Sequence, residues 1–166
     1  LIQAIDFKHL HETRGVDLQV AGSDQWGNIT TGIELIRKTT GEEVYGFTMP
    51  LVTDSQGNKF GKSEGNALWL DKNRTSPYEL YQFLINTEDA CVISYLKRLT
   101  FLTPEQIMAI EAEHSAHPEQ RLAQKALARE IITDLHGEEE YRHAVDISEK
   151  LFAGDFASLS LRDIRA

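Results

Sequence analysis

The chain has 166 residues, 41 % of them hydrophobic and 26 % charged, with a formal net charge of −9. A soluble, globular protein with one substantial core and a smaller second one is expected. No apolar run approaches the roughly 20 residues that a membrane span needs, and the charge has the wrong sign for indiscriminate nucleic-acid binding, which works by neutralising phosphates. No basic-then-apolar leader is recognisable, so a cytoplasmic location, or an organelle matrix after processing, is expected. The single Cys91 excludes an internal disulfide framework and a Cys-rich zinc site, and reads as a buried small apolar residue.

The chain opens with "LIQAIDFKHLHETRG", where Leu1, Ile2, Ile5 and Leu10 have helix-like spacing without a helix-start signal. An element already under way at Leu1, and so a piece of a longer protein, is expected. Two runs of β-type residues follow, "VDLQVAG" over 16–22 and "GFTMPLVT" over 46–53. Between them lies "NITTGIELIRKTTG", whose Ile29, Ile33 and Ile36 recur at helical spacing ahead of Gly41. Strand, helix, strand is the prediction.

Beyond Thr75-Ser76-Pro77 the pattern turns helical: "SPYELYQFLINT", "EDACVISYLKRL", "TPEQIMAIEAEHSA" and "PEQRLAQKALAREIITDLHG". Ser76-Pro77, Thr103-Pro104-Glu105 and Pro118-Glu119 supply start signals, with proline at the first helical position and early acids suited to the helix dipole. Gly137 closes the fourth helix and "EEEYRHAVDISEKLF" begins another. The expected fold class is α/β, with an α/β part over 1–76 and an all-α domain over 77–166. The first part carries a net charge of −2 and the second −7. Any RNA contact must therefore use local pairs such as Lys59/Lys62, Lys72/Arg74 or Lys97/Arg98, each of which also fits a solvated surface.

Two stretches carry chemistry. The first, "VAGSDQWGN" over 20–28, leaves a strand and enters a helix, the place where open α/β sheets bind ligands. Gly22 admits a close approach to the main chain, Asp24 is a natural acceptor for ribose hydroxyls, and the Gln25 amide both donates and accepts. A plain turn fits the same residues. The second, "DSQGNKFGKSEGN" over 54–66, sets Lys59 and Lys62 among Gly57, Gly61 and Gly65 with Ser63 adjacent, a composition suited to phosphates. It is not a P-loop, because Gln56 stands where that spacing requires glycine. A glycine-rich hairpin tip with surface lysines is the alternative.

Taken together, "GSDQWGNIT" and the later "KFGKSE" resemble the catalytic domain of the bacterial-type tyrosyl-tRNA synthetases, which are class I aminoacyl-tRNA synthetases. Lys59-Phe60-Gly61-Lys62-Ser63 is similar to the KMSKS signature of that class. The resemblance extends to "LIQAID" and "LWLDKNRTSPYELYQFLINT", so it spans nearly the whole chain. The tryptophanyl enzymes are the nearest confusable relatives; Trp26-Gly27-Asn28 and Asp6 favour tyrosine.

The resemblance implies the C-terminal half of a Rossmann-like parallel-sheet catalytic domain, then a helical domain that docks the tRNA anticodon arm. It also implies tyrosine activation by ATP and transfer to tRNA(Tyr). Asp6 matches the carboxylate that accepts the tyrosine phenol, and Gln3, one turn earlier, matches a residue near the α-amino group. Gly22 and Asp24 match ribose contacts of the adenylate, and Gln25 matches the amide that orients the amino-acid carboxylate. Leu51 and Val52 match backbone that meets adenine. Lys59 and Lys62 match the catalytic lysines on pyrophosphate, with Ser63 beside them in the ATP site.

The residue types suit the reaction. A carboxylate attacks the α-phosphorus and pyrophosphate leaves, so charge grows on the leaving group, and cations that tighten there raise turnover. Phenylalanine would leave the desolvated Asp6 carboxylate unpaired.

Ala21-Gly22 stands where family members often have two glycines. The first class I signature, most of the dimer interface of a homodimeric enzyme, and a C-terminal RNA-binding domain lie outside this chain in the family, so the chain alone is expected to be inactive. Mg²⁺ is expected only as carried by ATP, without a dedicated protein site; "HLHE" is not a zinc motif, and His9, His11, His114, His117, His136 and His143 are expected at the surface. Lys97, Arg98, Arg121 and Lys125 are the candidate tRNA contacts. The alternative function is a noncatalytic RNA- or protein-binding module derived from a synthetase.

Overall fold

The computed structural model describes residues 1–57, 62–63, 66–160 and 163. They form two compact units, Leu1–Leu51 and Val52–Ala166.

The first unit is a helix followed by a strand–helix–strand crossover: α1 (Ile2–Arg14), β1 (Leu18–Gly22), α2 (Trp26–Thr40) and β2 (Tyr45–Met49). β1 and β2 are parallel and paired from Leu18 opposite Tyr45 to Gly22 opposite Met49, as the sequence predicted. A single 3₁₀ turn, Ser23–Gln25, joins β1 to α2. Two glycines let the layers meet. A Cβ on Gly46 would overlap the Ile29 side chain, so α2 lies directly on the sheet, and a Cβ on Gly32 would come within 2.9 Å of the Phe7 ring of α1. Gly15 and Gly41 close the two helices in the left-handed region that suits glycine. Phe7, Ile36 and Val44 form the small core.

The second unit contains a short antiparallel pair, β3 (Lys62–Ser63) and β4 (Asn66–Ala67), and then α3 (Pro77–Ile85), α4 (Asp89–Leu99), α5 (Pro104–Ala116), α6 (Leu122–His136) and α7 (Glu138–Ala153). α6 is the centre: Ala123, Leu127, Ala128 and Ile132 are fully buried, and α3, α4, α5 and α7 all pack on it. Residues 77 and 104 do open helices, each as part of a full capping box, Ser76 with Glu79 and Thr103 with Gln106. Compactness divides the chain at Leu51, whereas the run of long helices begins at Pro77; Val52 and Leu68, between those points, pack against the helical core.

Two expectations need correction. Pro118 does not start a long helix: Pro118–Gln120 form one 3₁₀ turn, Arg121 adopts φ 54°, and α6 begins at Leu122. The Arg121 guanidinium explains the break, because its Nε donates to the Ile85 carbonyl at 3.0 Å and Nη2 to that of Thr87 at 3.3 Å, at the end of α3. Nor are the histidines all superficial. His114 is 5 % exposed, its Nε2 3.2 Å from Asp89 Oδ1 without hydrogen-bond alignment. Cys91 is buried in α4. None of the helices among the described residues is long and apolar enough to cross a membrane.

Candidate functional site

The carboxyl ends of β1 and β2 bring three of the sequence-predicted residues together. Gly22 is the last residue of β1, Asp24 lies in the 3₁₀ turn after it, and Leu51 follows β2. A Cβ at Gly22 would sit 2.7 Å from Leu51 Cδ2 and 2.9 Å from Asp24 Oδ1. Gly22 has φ −68°, which any residue adopts, so the glycine serves close approach and not backbone conformation. Its missing side chain leaves the space over the strand end that the Asp24 carboxylate and a Leu51 methyl both border. Asp24 remains exposed there.

Gln25 is oriented locally. Asn28, one turn further on, donates from Nδ2 to Gln25 Oε1 at 2.9 Å, which leaves the Gln25 NH2 as the donor to present outward. The i, i+3 spacing of Gln25 and Asn28 is the sequence signal for this pair. No side chain caps the N-terminus of α2, so its first amides, at the positive end of the helix dipole, favour negative charge on this side of the sheet.

Gln3 and Asp6 both lie on α1, a helical turn apart, with Gln3 part-buried and Asp6 exposed. That helix packs on α2 through Ala4 and Phe7. Val52 is part-buried and belongs to the second unit, as do Lys62 and Ser63, which form β3. Lys59 lies outside the described residues. At the opposite end of the β-sheet, His11 bridges two carboxylates, Nδ1 to Asp17 at 3.0 Å and Nε2 to Glu42 at 2.6 Å. The Glu42 hydrogen bond, helped by Asp17, raises the imidazole above its ordinary 6.5. This clasp joins the end of α1 to the segments that enter β1 and β2, at the far end of the strands from Gly22.

A strand-end site on a parallel crossover, with an acid and an amide in the first turn, is compatible with many nucleotide-using proteins. The wider sequence decides among them: a family model described as tRNA synthetases class I (W and Y) matches residues 1–153. The chain belongs to this family. It is 57 % identical over 165 residues to tyrosine–tRNA ligase 2 of Enterococcus faecalis and 58 % identical to the tyrosine–tRNA ligase of Bacillus caldotenax, covering 99 % of this chain and 39 % of each relative. The chain thus spans about two fifths of the length of these curated relatives. Among solved structures it is similar to a C-terminally truncated mitochondrial tyrosyl-tRNA synthetase of Coccidioides posadasii. That match has a TM-score of 0.73 and 36 % identity over 87 % of this chain and 42 % of the other. The Aspergillus nidulans counterpart matches with the same TM-score at 37 % identity. In fold, this synthetase chain is the C-terminal half of a Rossmann-like α/β domain followed by an all-α domain.

Proposed function

We propose that the chain carries part of the adenylate site of a tyrosine–tRNA ligase, an enzyme that joins tyrosine to ATP as tyrosyl-adenylate with loss of pyrophosphate and then transfers tyrosine to tRNA(Tyr). The observation that carries the reading is the convergence of Gly22, Asp24 and Leu51 at the carboxyl ends of the parallel strands, in a chain 57 % identical to a tyrosine–tRNA ligase. In this reading Asp24 accepts from the ribose hydroxyls beside Gly22, and the backbone at Leu51 and Val52 borders adenine. The NH2 of Gln25, oriented by Asn28, donates to the tyrosine carboxylate. Asp6 accepts from the phenol and Gln3 lies near the α-amino group. Lys59, Lys62 and Ser63 serve the pyrophosphate, with Mg²⁺ arriving on ATP.

The protein chemistry is one of positioning and charge. The attacking carboxylate and the α-phosphorus are held in line, and lysine ammonium groups stabilise charge that appears only as pyrophosphate leaves. Residues 1–76 then belong to the catalytic domain and 77–166 to a domain for the anticodon arm, in a homodimeric cytoplasmic enzyme of which this chain alone is inactive.

The test is a chimera in which this chain replaces its matched 165 residues in the Bacillus caldotenax ligase. It should catalyse tyrosine-dependent ATP–pyrophosphate exchange, whereas the isolated chain should not. Gly22→Ala should raise the KM for ATP about tenfold, equivalent to about 1.4 kcal/mol, by displacing the Asp24 carboxylate, with tyrosine binding intact. A chimera that binds RNA but performs no exchange would instead support a noncatalytic module.

A further inference from the structure

The helix that carries Gln3 and Asp6, α1, is held to the rest of the α/β unit by two contacts of different kind. One is packing. A Cβ on Gly32 of α2 would come within 2.9 Å of the Phe7 ring and 3.6 Å of the Ala4 Cα, so α1 rests on a part of α2 that has no side chain. Apolar contact of this sort carries no direction of its own. The other is the His11 clasp, with Nδ1 3.0 Å from Asp17 Oδ1 and Nε2 2.6 Å from Glu42 Oε2. The Asp17 carbonyl in turn accepts from the Tyr45 amide at 2.7 Å, where the β1–β2 ladder begins.

The partners decide the state of the ring. Both are carboxylates, which accept, so each ring nitrogen must donate, and only the imidazolium has two N–H groups. A neutral ring keeps one bond and sets a lone pair against the other carboxylate. With the His11 side chain only 10 % exposed, water has little access to relieve that contact. The Glu42 hydrogen bond, helped by Asp17, holds the imidazole above its ordinary 6.5, so the tie is complete below that value and is lost as pH rises through the raised one. Of the other charged groups on these elements, Lys8 pairs with Glu12 on α1 at 2.6 Å, and Arg37 and Lys38 pair with Glu34 on α2 at 2.8 and 2.9 Å. Arg14 and Glu43 form no ion pair among the described residues.

We infer that His11 is a positioning residue for the tyrosine side of the site: the imidazolium, with one N–H for each carboxylate, fixes how α1 stands against the entries of β1 and β2, and so where Asp6 and Gln3 lie. Asp6 is five residues from His11, about 7.5 Å along the same helix, so a shift at the clasp is carried to it directly. This rests on the ligase reading, in which Asp6 and Gln3 meet tyrosine. Release of the clasp lowers the share of molecules with α1 in place, which weakens tyrosine binding by that share and costs nothing once tyrosine saturates. Gly22 and Asp24, at the other end of β1, are on the nucleotide side and are not carried by α1.

The experiment measures tyrosine-dependent exchange across pH in the chimera with the B. caldotenax ligase. At about pH 6, His11→Gln should raise the tyrosine KM about two- to tenfold, the range of one net hydrogen bond, and leave kcat and the ATP KM unchanged. The ratio of variant to parent KM should fall to unity by about pH 9, as the parent ring loses its proton, and Glu42→Gln should follow the same course. A raised ratio that does not change with pH, or a tyrosine KM equal to the parent's throughout, would overturn the positioning role and leave the ligase reading standing. A lowered kcat with both KM values raised and a lowered Tm would make the clasp structural only and overturn it too. A parent chimera without exchange would remove the ligase reading first, and this inference with it.

Discussion

The helical unit covers its own core, and the α/β unit does not. In the former, α6 is enclosed by four helices and its inward side chains are fully buried. In the latter, α2 covers one face of the two-stranded sheet, and that face presents small or polar residues, Gln19, Ala21, Gly46 and Thr48. The large apolar residues, Leu18, Val20, Tyr45, Phe47 and Met49, point the other way and remain 47–61 % exposed. Parallel sheets are ordinarily covered on both faces. The contrast teaches that Gly22 and Asp24, proposed to hold the ribose, sit on the less self-sufficient part of the chain, whose sheet carries exposed apolar side chains on one face.

The most direct way to break this comparison is to separate the units. Residues 52–166 alone should give a cooperative helical melt by circular dichroism. Residues 1–51 alone should aggregate or bind a hydrophobic dye, and an independent cooperative melt of 1–51 would refute the contrast. Smaller effects should follow within the whole chain. Leu127→Ala in α6 should destabilise the helical unit by about 2–5 kcal/mol in urea unfolding, whereas Phe47→Ser should leave stability nearly unchanged and reduce aggregation. The smallest effect belongs to His11. Because Glu42 and Asp17 raise its pKa, its contribution is fully present below about 6.5, the ordinary value, and is lost as pH rises through the raised one. Amide exchange in α1 should therefore be faster in His11→Gln than in the parent at about pH 6, with the difference vanishing in alkali; a pH-independent difference would dissociate the clasp from the imidazolium.

What was legible in the sequence was what neighbouring residues decide. The helix starts at Pro77 and Pro104 are marked by proline right after a serine or threonine, and the crossover shows in the change of hydrophobic period between 16 and 53. Gly22 and Asp24 stood out because a site motif is local, although only the structure shows that the glycine makes room for Asp24 and Leu51. Pro118 misled because proline opens a 3₁₀ turn as readily as an α-helix, and the partners of Arg121 lie 34 and 36 residues away. The bond from the Tyr95 hydroxyl to the Thr53 carbonyl, 2.9 Å, is hidden for the same reason: an apolar helical stripe accounts for the ring, and nothing nearby in sequence points to a partner 42 residues away. The alternation at 18–20 and 45–49 marks a shared face, but alternation alone does not say whether that face is covered.

Arg121 serves as swivel and rivet in one residue, which constrains what could replace it. Its left-handed backbone costs about 1 kcal/mol in a non-glycine residue, and two bonds from a charged donor, worth about 1.5–3 kcal/mol each, outweigh that. Glycine would ease the swivel and abandon the carbonyls of Ile85 and Thr87; lysine would keep the charge but not the fork that reaches both. The corner between α5 and α6 therefore tolerates neither the most permissive residue nor the most conservative one, and a position that looks like an ordinary surface arginine holds the end of α3 in place.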